Sequence, residues 1–298
     1  MRLFDGHCDT PYELWMRGET LEQNSCHIDL QKTSEFGAFA QIFAFCSYAG
    51  TPMAHKRLLT EPLKLLKDHI LKHSDRMGLA DTAEQIRQLH AQGKAAALLS
   101  LEGAELIDCD PEQISELEHF SMCTLTWNED NALAGCHLSD RGLTDLGRAF
   151  VHRAKGRMLI DVSHLGDRAF WDLLELTDAP ILASHSNCRS LCPHSRNLTD
   201  DQLRQIAQTG GTVGLNLYVP FLGENANFET IRRHLEHMLR LCGEDHVALG
   251  GDLDGCDQLP QGFANVSSYL SLYSYLRGCG YDEALLDHIF YRNLLQLF

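Results

Sequence analysis

Residues 2–9 read Arg-Leu-Phe-Asp-Gly-His-Cys-Asp, a short apolar run that becomes polar at its carboxyl end. Seven more runs of this kind occur along the 298 residues of the chain. Most are rich in Val, Ile, Leu, Ala and Phe without strict alternation, which is typical of strands buried on both faces of a parallel sheet. The eight predicted strands are Arg2–Asp9, Ala38–Ser47, Ala95–Leu101, Met122–Trp127, Arg157–Ser163, Ala179–His185, Thr212–Leu217 and His246–Asp252.

Helical patterns lie between most of these strands. Apolar residues recur every three or four positions in Phe228–Leu241, and Thr199 with Gln202 forms a capping box that starts another helix. Strands that alternate with helices predict an α/β protein, a (β/α)8 TIM barrel. An open, doubly wound sheet is the competing architecture, and the lack of a GxGxxG motif after the first strand weakens it. We expect one domain over residues 1–298, with an insertion at 48–93 between the second and third predicted strands.

Composition narrows the functional classes. The chain is 44% hydrophobic, so it can bury a core, and its 25 basic against 41 acidic residues give a net charge of −16. Such a surface repels phosphate backbones and anionic membranes, so we expect neither a nucleic-acid nor a membrane partner. No apolar run approaches the roughly 20 residues of a membrane span, and no signal peptide is evident. The eleven cysteines are scattered without a CxxC motif, which predicts reduced, buried thiols and a cytoplasmic location.

Side chains that commonly bind metals end several predicted strands. They are His7, Asp9, Glu102, His164 and His185. Burying an ionisable group at the end of an apolar strand is costly unless it is paired or metal-bound. Each residue alone would more often be structural, but the carboxyl ends of barrel strands meet at one mouth, where active sites lie. Five ligands of these types suit two zinc-like ions roughly 3.5–4 Å apart, bridged by a carboxylate and a water.

These residues stand within a series of short motifs. The series is Asp-Gly-His-x-Asp at 5–9, Glu-Gly at 102–103, Ser-His at 163–164, Ser-His-Ser at 184–186, Arg-Asn at 196–197 and Gly-Gly-Asp-x-Asp-Gly at 250–255. In this order the motifs resemble those of the membrane dipeptidase (renal dipeptidase, peptidase M19) family, within the amidohydrolase-type metal barrels. The resemblance covers nearly the whole chain.

The resemblance implies a role for each matching residue. His7 and Asp9 match the ligands of one zinc, His164 and His185 match those of the other, and Glu102 matches the bridging carboxylate. Asp252 matches the catalytic acid, with Asp254 as the second choice, and Arg196 matches the residue that binds the substrate carboxylate. The implied function is a zinc-dependent metallodipeptidase that cleaves the amide bond of a dipeptide by attack of a metal-bridging hydroxide.

Two positions depart from the family pattern. Cys8 replaces Asn in the first motif, and we do not expect it to be a ligand because it points away from its neighbours on the strand. Trp127 stands where animal dipeptidases carry a substrate-contacting His; it keeps one N–H donor but cannot carry a proton. Substrate preference is therefore open. The alternatives are an amidohydrolase acting on N-acyl amino acids, other small amides or lactones, and a metal-binding relative with weak or lost activity. A homodimer is common among similar proteins, but no interface is readable in the sequence.

Overall fold

The apolar runs form parallel strands of one sheet in the computed structural model, which describes residues 1–48 and 54–298. Within these residues the strands are β1 (Arg2–Cys8), β2 (Ala38–Cys46), β3 (Met77–Leu79), β4 (Ala95–Glu102), β5 (Phe120–Thr124), β6 (Leu159–Asp161), β7 (Leu182–Ala183), β8 (Thr212–Leu215) and β9 (Val247–Leu249).

Eight of these strands close into a barrel. The order is β2-β1-β9-β8-β7-β6-β5-β4, and β2 pairs with β4 to complete the ring. The predicted (β/α)8 barrel is therefore confirmed. The short strand β3 was not predicted; it pairs only with Ala95, Ala96 and Ala97 at the start of β4.

The helices fall largely where the periodicity places them. They are α1 (Thr10–Arg17), α2 (Leu30–Thr33), α3 (His55–Lys72), α4 (Ala83–Ala91), α5 (Asp145–Ala154), α6 (Asp167–Leu174), α7 (Asp200–Gln208), α8 (Val219–Leu222), α9 (Phe228–Cys242), α10 (Ser268–Gly278), α11 (Glu283–Asp287) and α12 (Asn293–Leu295). The capping box at the start of α7 is present, with the Thr199 side chain accepting from the Gln202 backbone N–H. None of these helices, within the described residues, is long and apolar enough to cross a bilayer.

The predicted insertion carries α3, β3 and α4 between β2 and β4. Its residues 49–53 lie outside the part of the chain that the structure describes. Whether the whole chain forms one independently folding domain stays a prediction.

Alternating side chains on the strands build two apolar layers. On β2, Phe39, Phe43 and Phe45 pack outward against the helices, whereas Ala40 and Ile42 face the barrel interior. Interior positions of other strands join them, and the carboxyl-terminal residues Tyr291, Leu294 and Leu295 pack against this inner cluster. Each fully buried large apolar side chain contributes about 1.5–3 kcal/mol. The apolar interior lies below the mouth of the barrel and gives the polar site above it a rigid base.

Two glycines let three strands approach closely just below that site. A Cβ at Gly214 would lie 2.0 Å from the Ser184 carbonyl oxygen, and one at Gly250 would lie 1.7 Å from the same oxygen. No larger residue fits at either position without moving backbone. The absence of side chains here brings β8 and β9 against the residues that follow β7.

Candidate active site

The predicted site residues meet at the carboxyl end of the barrel. His7 lies in β1 and Glu102 is the last residue of β4. Asp9 is the first residue of the α1 turn, where its carboxylate makes no capping bond. His164 follows β6, and His185 follows β7 as a loop residue because that strand ends at Ala183, earlier than predicted. The candidate site therefore combines two strand residues, His7 and Glu102, with residues from the loops that follow the strands.

Glu102 is at the centre of the cluster. Its Oε1 lies 2.9 Å from Nε2 of His164, 3.5 Å from Nε2 of His7 and 3.6 Å from Nε2 of His185. All four side chains are buried. A single carboxylate oxygen therefore faces three imidazoles, one from β1 and two from the loops that follow β6 and β7.

Two groups of donors flank Glu102. On one side, Nε2 of His7 lies 3.4 Å from Asp9 Oδ2 and 3.9 Å from Asp252 Oδ1. On the other side, Nε2 of His164 and Nε2 of His185 are 3.0 Å apart. The resemblance implies that these two groups are the ligands of separate ions, and that assignment stays a prediction.

The carboxylates around His7 favour a positive charge at this position, either a proton on the imidazole or a metal cation in its place. Burial lowers the pKa of His7, but the charges of Glu102, Asp9 and Asp252 outweigh it and raise that pKa to about 10. Burial, together with the charges of Asp9 and Asp252, raises the pKa of Glu102 to about 8. Carboxylates this close resist ionisation unless a cation lies among them.

The second group is suited to neutral ligands. Burial, with the nearby charge of Arg196 and neighbouring imidazoles, holds the pKa of His164 and of His185 well below the ordinary value. Both rings are therefore neutral near pH 7, and neutral imidazole is the form that binds a metal.

Several polar atoms in the site lack a protein partner. Both ring nitrogens of His7 and Oδ1 of Asp9 are buried without a hydrogen bond. Unpaired buried polar groups each cost about 1–3 kcal/mol, so a native structure rarely keeps three together. Their chemistry fits divalent cations, with imidazole nitrogen and carboxylate oxygen as the donors.

Further residues orient the imidazoles, and sequence reasoning did not assign them. Nδ1 of His185 lies 2.7 Å from Ser184 Oγ, which donates to Asp161. Nδ1 of His164 lies 2.8 Å from Asn128 Oδ1. These contacts leave Nε2 of each ring directed at Glu102, as in metal sites where the second nitrogen is held by an outer partner. Ser184 lies in the Ser-His-Ser motif, Asp161 lies two residues before the Ser-His motif, and Asn128 follows Trp127, but only the fold shows which ring each one holds.

The two candidate acids have different surroundings. Asp252 Oδ2 accepts from Asn216 Nδ2 at 2.9 Å, and its Oδ1 faces His7. Asp254 instead accepts from Thr10 Oγ1 and from the His27 backbone N–H, both at 2.6 Å. Asp252 therefore lies within the cluster, whereas Asp254 connects Thr10 to the segment around His27.

Arg196 is buried beside the cluster with unused donors. Its Nε and Nη2 make no hydrogen bond, and the guanidinium lies 5.4 Å from the centre of the Phe221 ring. Burial lowers the pKa of Arg196, although the charges of Asp252 and Glu102 act in the opposite direction. An always-charged group with free donors is suited to a carboxylate ligand.

Trp127 forms part of the wall of the site. Its ring centre lies 5.3 Å from that of Tyr48 and 6.3 Å from that of His164. Trp127 also lines an adjacent cavity of about 420 Å³. Cys8, in contrast, is fully buried in the outer apolar layer. The geometry agrees with the expectation that Cys8 is not a ligand.

A barrel with a cluster of ligand-type side chains at its mouth is typical of metal-dependent hydrolases. The family model for membrane dipeptidases (peptidase family M19) matches residues 1–298. An uncharacterized protein in the pqqA 5′ region of Klebsiella pneumoniae is 33% identical over 80% of this chain and 94% of its own length. An uncharacterized dipeptidase of Schizosaccharomyces pombe is 30% identical over 74% of this chain and 57% of its own length.

Solved structures agree. A metallo peptidase from Rhodobacter sphaeroides, liganded with a phosphinate mimic of the dipeptide L-Ala-D-Ala, has 27% identity and a TM-score of 0.89, over 100% of this chain and 98% of that one. The dipeptidase AC, a metallo peptidase of family M19, has 29% identity and a TM-score of 0.90, over 100% and 97%. The chain belongs to the membrane dipeptidase family, peptidase family M19, and is a hydrolase of peptide bonds.

Proposed function

We propose that the protein is a zinc-dependent dipeptidase that uses two metal ions. The observation that carries this proposal is the convergence of three buried imidazoles on one oxygen of Glu102, with Asp9 and Asp252 beside them. His7 and Asp9 would hold one ion, His164 and His185 the other, and Glu102 would bridge them. When bound, such a pair would activate a water molecule at neutral pH and would polarise the substrate carbonyl.

Asp252 is the proposed acid–base group. Its Oδ1 faces the cluster, and Asn216 holds its other oxygen. Burial raises the pKa of Asp252, which makes the carboxylate a better proton acceptor. Asp252 would accept the proton of the attacking water and deliver it to the leaving nitrogen.

Arg196 is the proposed anchor for the substrate. Its free Nε and Nη2 would donate to the terminal carboxylate of a dipeptide. The contact would fix the scissile amide over the cluster, which makes the clamp chiefly a binding device. The mimic of L-Ala-D-Ala bound to the Rhodobacter sphaeroides relative has the size of the proposed substrate.

Trp127 would form the wall beside the scissile bond. An indole can pack against a substrate and donate one hydrogen bond, but it cannot transfer a proton. Replacing Trp127 with His tests whether this position limits dipeptide cleavage: a gain in kcat would assign it to substrate chemistry, and an unchanged kcat would leave it as a wall.

The deciding experiment combines metal analysis with a substrate panel. Purified protein should contain two zinc ions per chain and should hydrolyse L,L- or L,D-dipeptides faster than N-acyl amino acids or lactones. Faster cleavage of N-acyl amino acids would favour an amidohydrolase of a different specificity. Full metal with no turnover of any of these would favour an inactive metal-binding relative.

The setting of the proposed enzyme is the cytoplasm. All eleven cysteines are unpaired, which agrees with a reducing compartment. A homodimer stays a prediction, and light scattering on the purified protein would test it.

A further inference from the structure

The second barrel strand, β2, places a cysteine at the mouth of the barrel. This residue, Cys46, is not among the histidines and carboxylates predicted as metal ligands. Cys46 is the last residue of β2, and it is paired in register with Glu102 across the seam where β2 meets β4. Ala40 and Ile42 on the same strand face the barrel interior, so the alternation places Cys46 on the interior face with Glu102.

Cys46 is buried beside side chains of the types that bind metals. Its Sγ and one carboxylate oxygen each of Asp9 and Glu102 lie within 4.8 Å of one another, and all three side chains are buried. Asp9 Oδ1 has no hydrogen-bond partner, and neither has Nε2 of His7, which lies 3.4 Å from Asp9. These unpartnered atoms point independently to a cation among the same residues.

We propose that Cys46 is a thiolate ligand of the metal ion held by His7 and Asp9. The inference rests on the proposed two-metal site and adds a sulfur donor to it. When the ion binds, the Sγ–H bond breaks, a bond from Sγ to the metal forms, and the proton leaves to solvent; no electron is transferred. A thiolate is a soft ligand, so this side of the site selects Zn²⁺ over Mg²⁺ or Mn²⁺.

A matched control lies on a nearby strand. Cys123 is as deeply buried as Cys46, but it pairs with Leu101 and packs in the outer apolar layer. Its Sγ donates to the Thr124 carbonyl at 3.0 Å. Removing Cys123 therefore tests the loss of a buried thiol without touching the cluster.

The experiment uses Co²⁺ as a spectroscopic substitute for Zn²⁺. Metal-free full-length protein is loaded with two equivalents of Co²⁺, and bound cobalt is measured together with the near-ultraviolet sulfur-to-cobalt charge-transfer absorption. We expect the band in the wild-type protein and in Cys123→Ala, and we expect its loss in Cys46→Ala and Cys46→Ser. The serine variant keeps nearly the size of the side chain and a donor beside Glu102, so it reports on the band even where the alanine variant fails to fold.

Zinc affinity is the second readout. Competition with a chromophoric chelator should show one of two sites weakened in Cys46→Ala by at least about 10–100-fold, since that range already applies to losing a residue that only supports a ligand. Two bound cobalt ions without the band in the wild type, or an unchanged band in both Cys46 variants, would overturn the role of Cys46 and leave the proposed dipeptidase intact. A wild-type protein that binds no metal would overturn both proposals.

Discussion

The carboxyl end and the amino end of the barrel bury different kinds of side chain. At the carboxyl end, His7, Glu102 and Arg196 are buried with polar atoms left unpaired or facing like charges. At the amino ends of β5, β6 and β7 there is a cavity of about 520 Å³ lined mainly by apolar residues, where Lys155 is exposed and Asp81 is half-buried.

This difference shows which end of the barrel lowers the folding stability of the protein. Burying unpaired ionisable groups costs free energy, and a protein retains them where a ligand compensates. At the mouth, His164 and Asp252 also adopt φ values of 70° and 55° in the left-handed region. Buried ionisable groups without partners, more than backbone strain, distinguish the carboxyl end of the barrel.

The largest effect is expected for Glu102→Gln. Loss of the shared carboxylate should remove measurable dipeptidase turnover and weaken metal binding by about 100-fold or more, because losing a residue that only supports a ligand already costs about 10–100-fold. Metal content after dialysis, measured beside a dipeptide assay, checks both. Retained turnover with two bound ions would contradict the bridging role.

Asp252→Asn separates proton transfer from metal binding. We expect bound metal to be unchanged and kcat to fall by about 10²–10⁴-fold, the usual contribution of a positioned acid–base group. Asp254→Asn is the control, because Asp254 accepts hydrogen bonds from Thr10 and the His27 backbone instead. This variant should have a lower melting temperature and a nearly unchanged kcat. The reverse outcome would show that Asp254 is the catalytic carboxylate.

Gly250→Ala tests the close packing under the site. The new Cβ would lie 1.7 Å from the Ser184 oxygen, so the free energy of unfolding should fall by about 3 kcal/mol or more, the upper range for overpacking. Gly278→Ala meets no atom within 4 Å and should stabilise the end of α10 by up to about 1 kcal/mol. Denaturant unfolding of both variants gives the comparison, and equal effects would refute the packing argument.

Arg196→Met tests the carboxylate clamp. Charge-assisted hydrogen bonds contribute about 1.5–3 kcal/mol, so KM for a dipeptide should rise by about 10–100-fold with a smaller change in kcat. A dipeptide with an amidated carboxyl end is the control substrate, and its kinetics should be nearly insensitive to the substitution. A similar loss for both substrates would argue against a carboxylate contact.

Lys155→Ala should have the smallest effect. Lys155 forms an exposed ion pair of 4.0 Å with Asp178 at the amino end, and such pairs contribute about 0–1 kcal/mol. We expect kcat/KM to be unchanged and the free energy of unfolding to change by less than about 1 kcal/mol. A large drop in activity would show that the amino end also serves the reaction, and the contrast between the two ends would fail.

The fold was predictable because strands and helices leave local patterns. The barrel, the capping box before α7 and the helix at α9 follow from apolar spacing. The strand ends were predicted two or three residues too far along the chain for β5 to β9. The reason is that apolar residues such as Leu125 and Val162 continue the run after the hydrogen-bonded ladder has stopped. The three-residue strand β3 is too short to leave a pattern.

The candidate site was predictable where ligand types are concentrated in motifs. Its support was not, because contacts such as Asn128 to His164 join positions that are distant in the chain. Cys46 shows the limit most clearly. One cysteine among eleven looks like the others until the register of β2 with β4 places it opposite Glu102.

The closure of the barrel also governs how the chain can be made. β1 lies between β2 and β9, and its Asp5 pairs with Leu249 and accepts from Gly251. At about 5–20 residues per second, a ribosome needs on the order of 10–50 s to deliver that far edge after the near one has emerged. During this interval one edge of β1 has unpaired backbone N–H and C=O groups, which can pair with another chain and lead to aggregation. Successful production therefore depends on shielding the newborn amino terminus until the last barrel strand arrives.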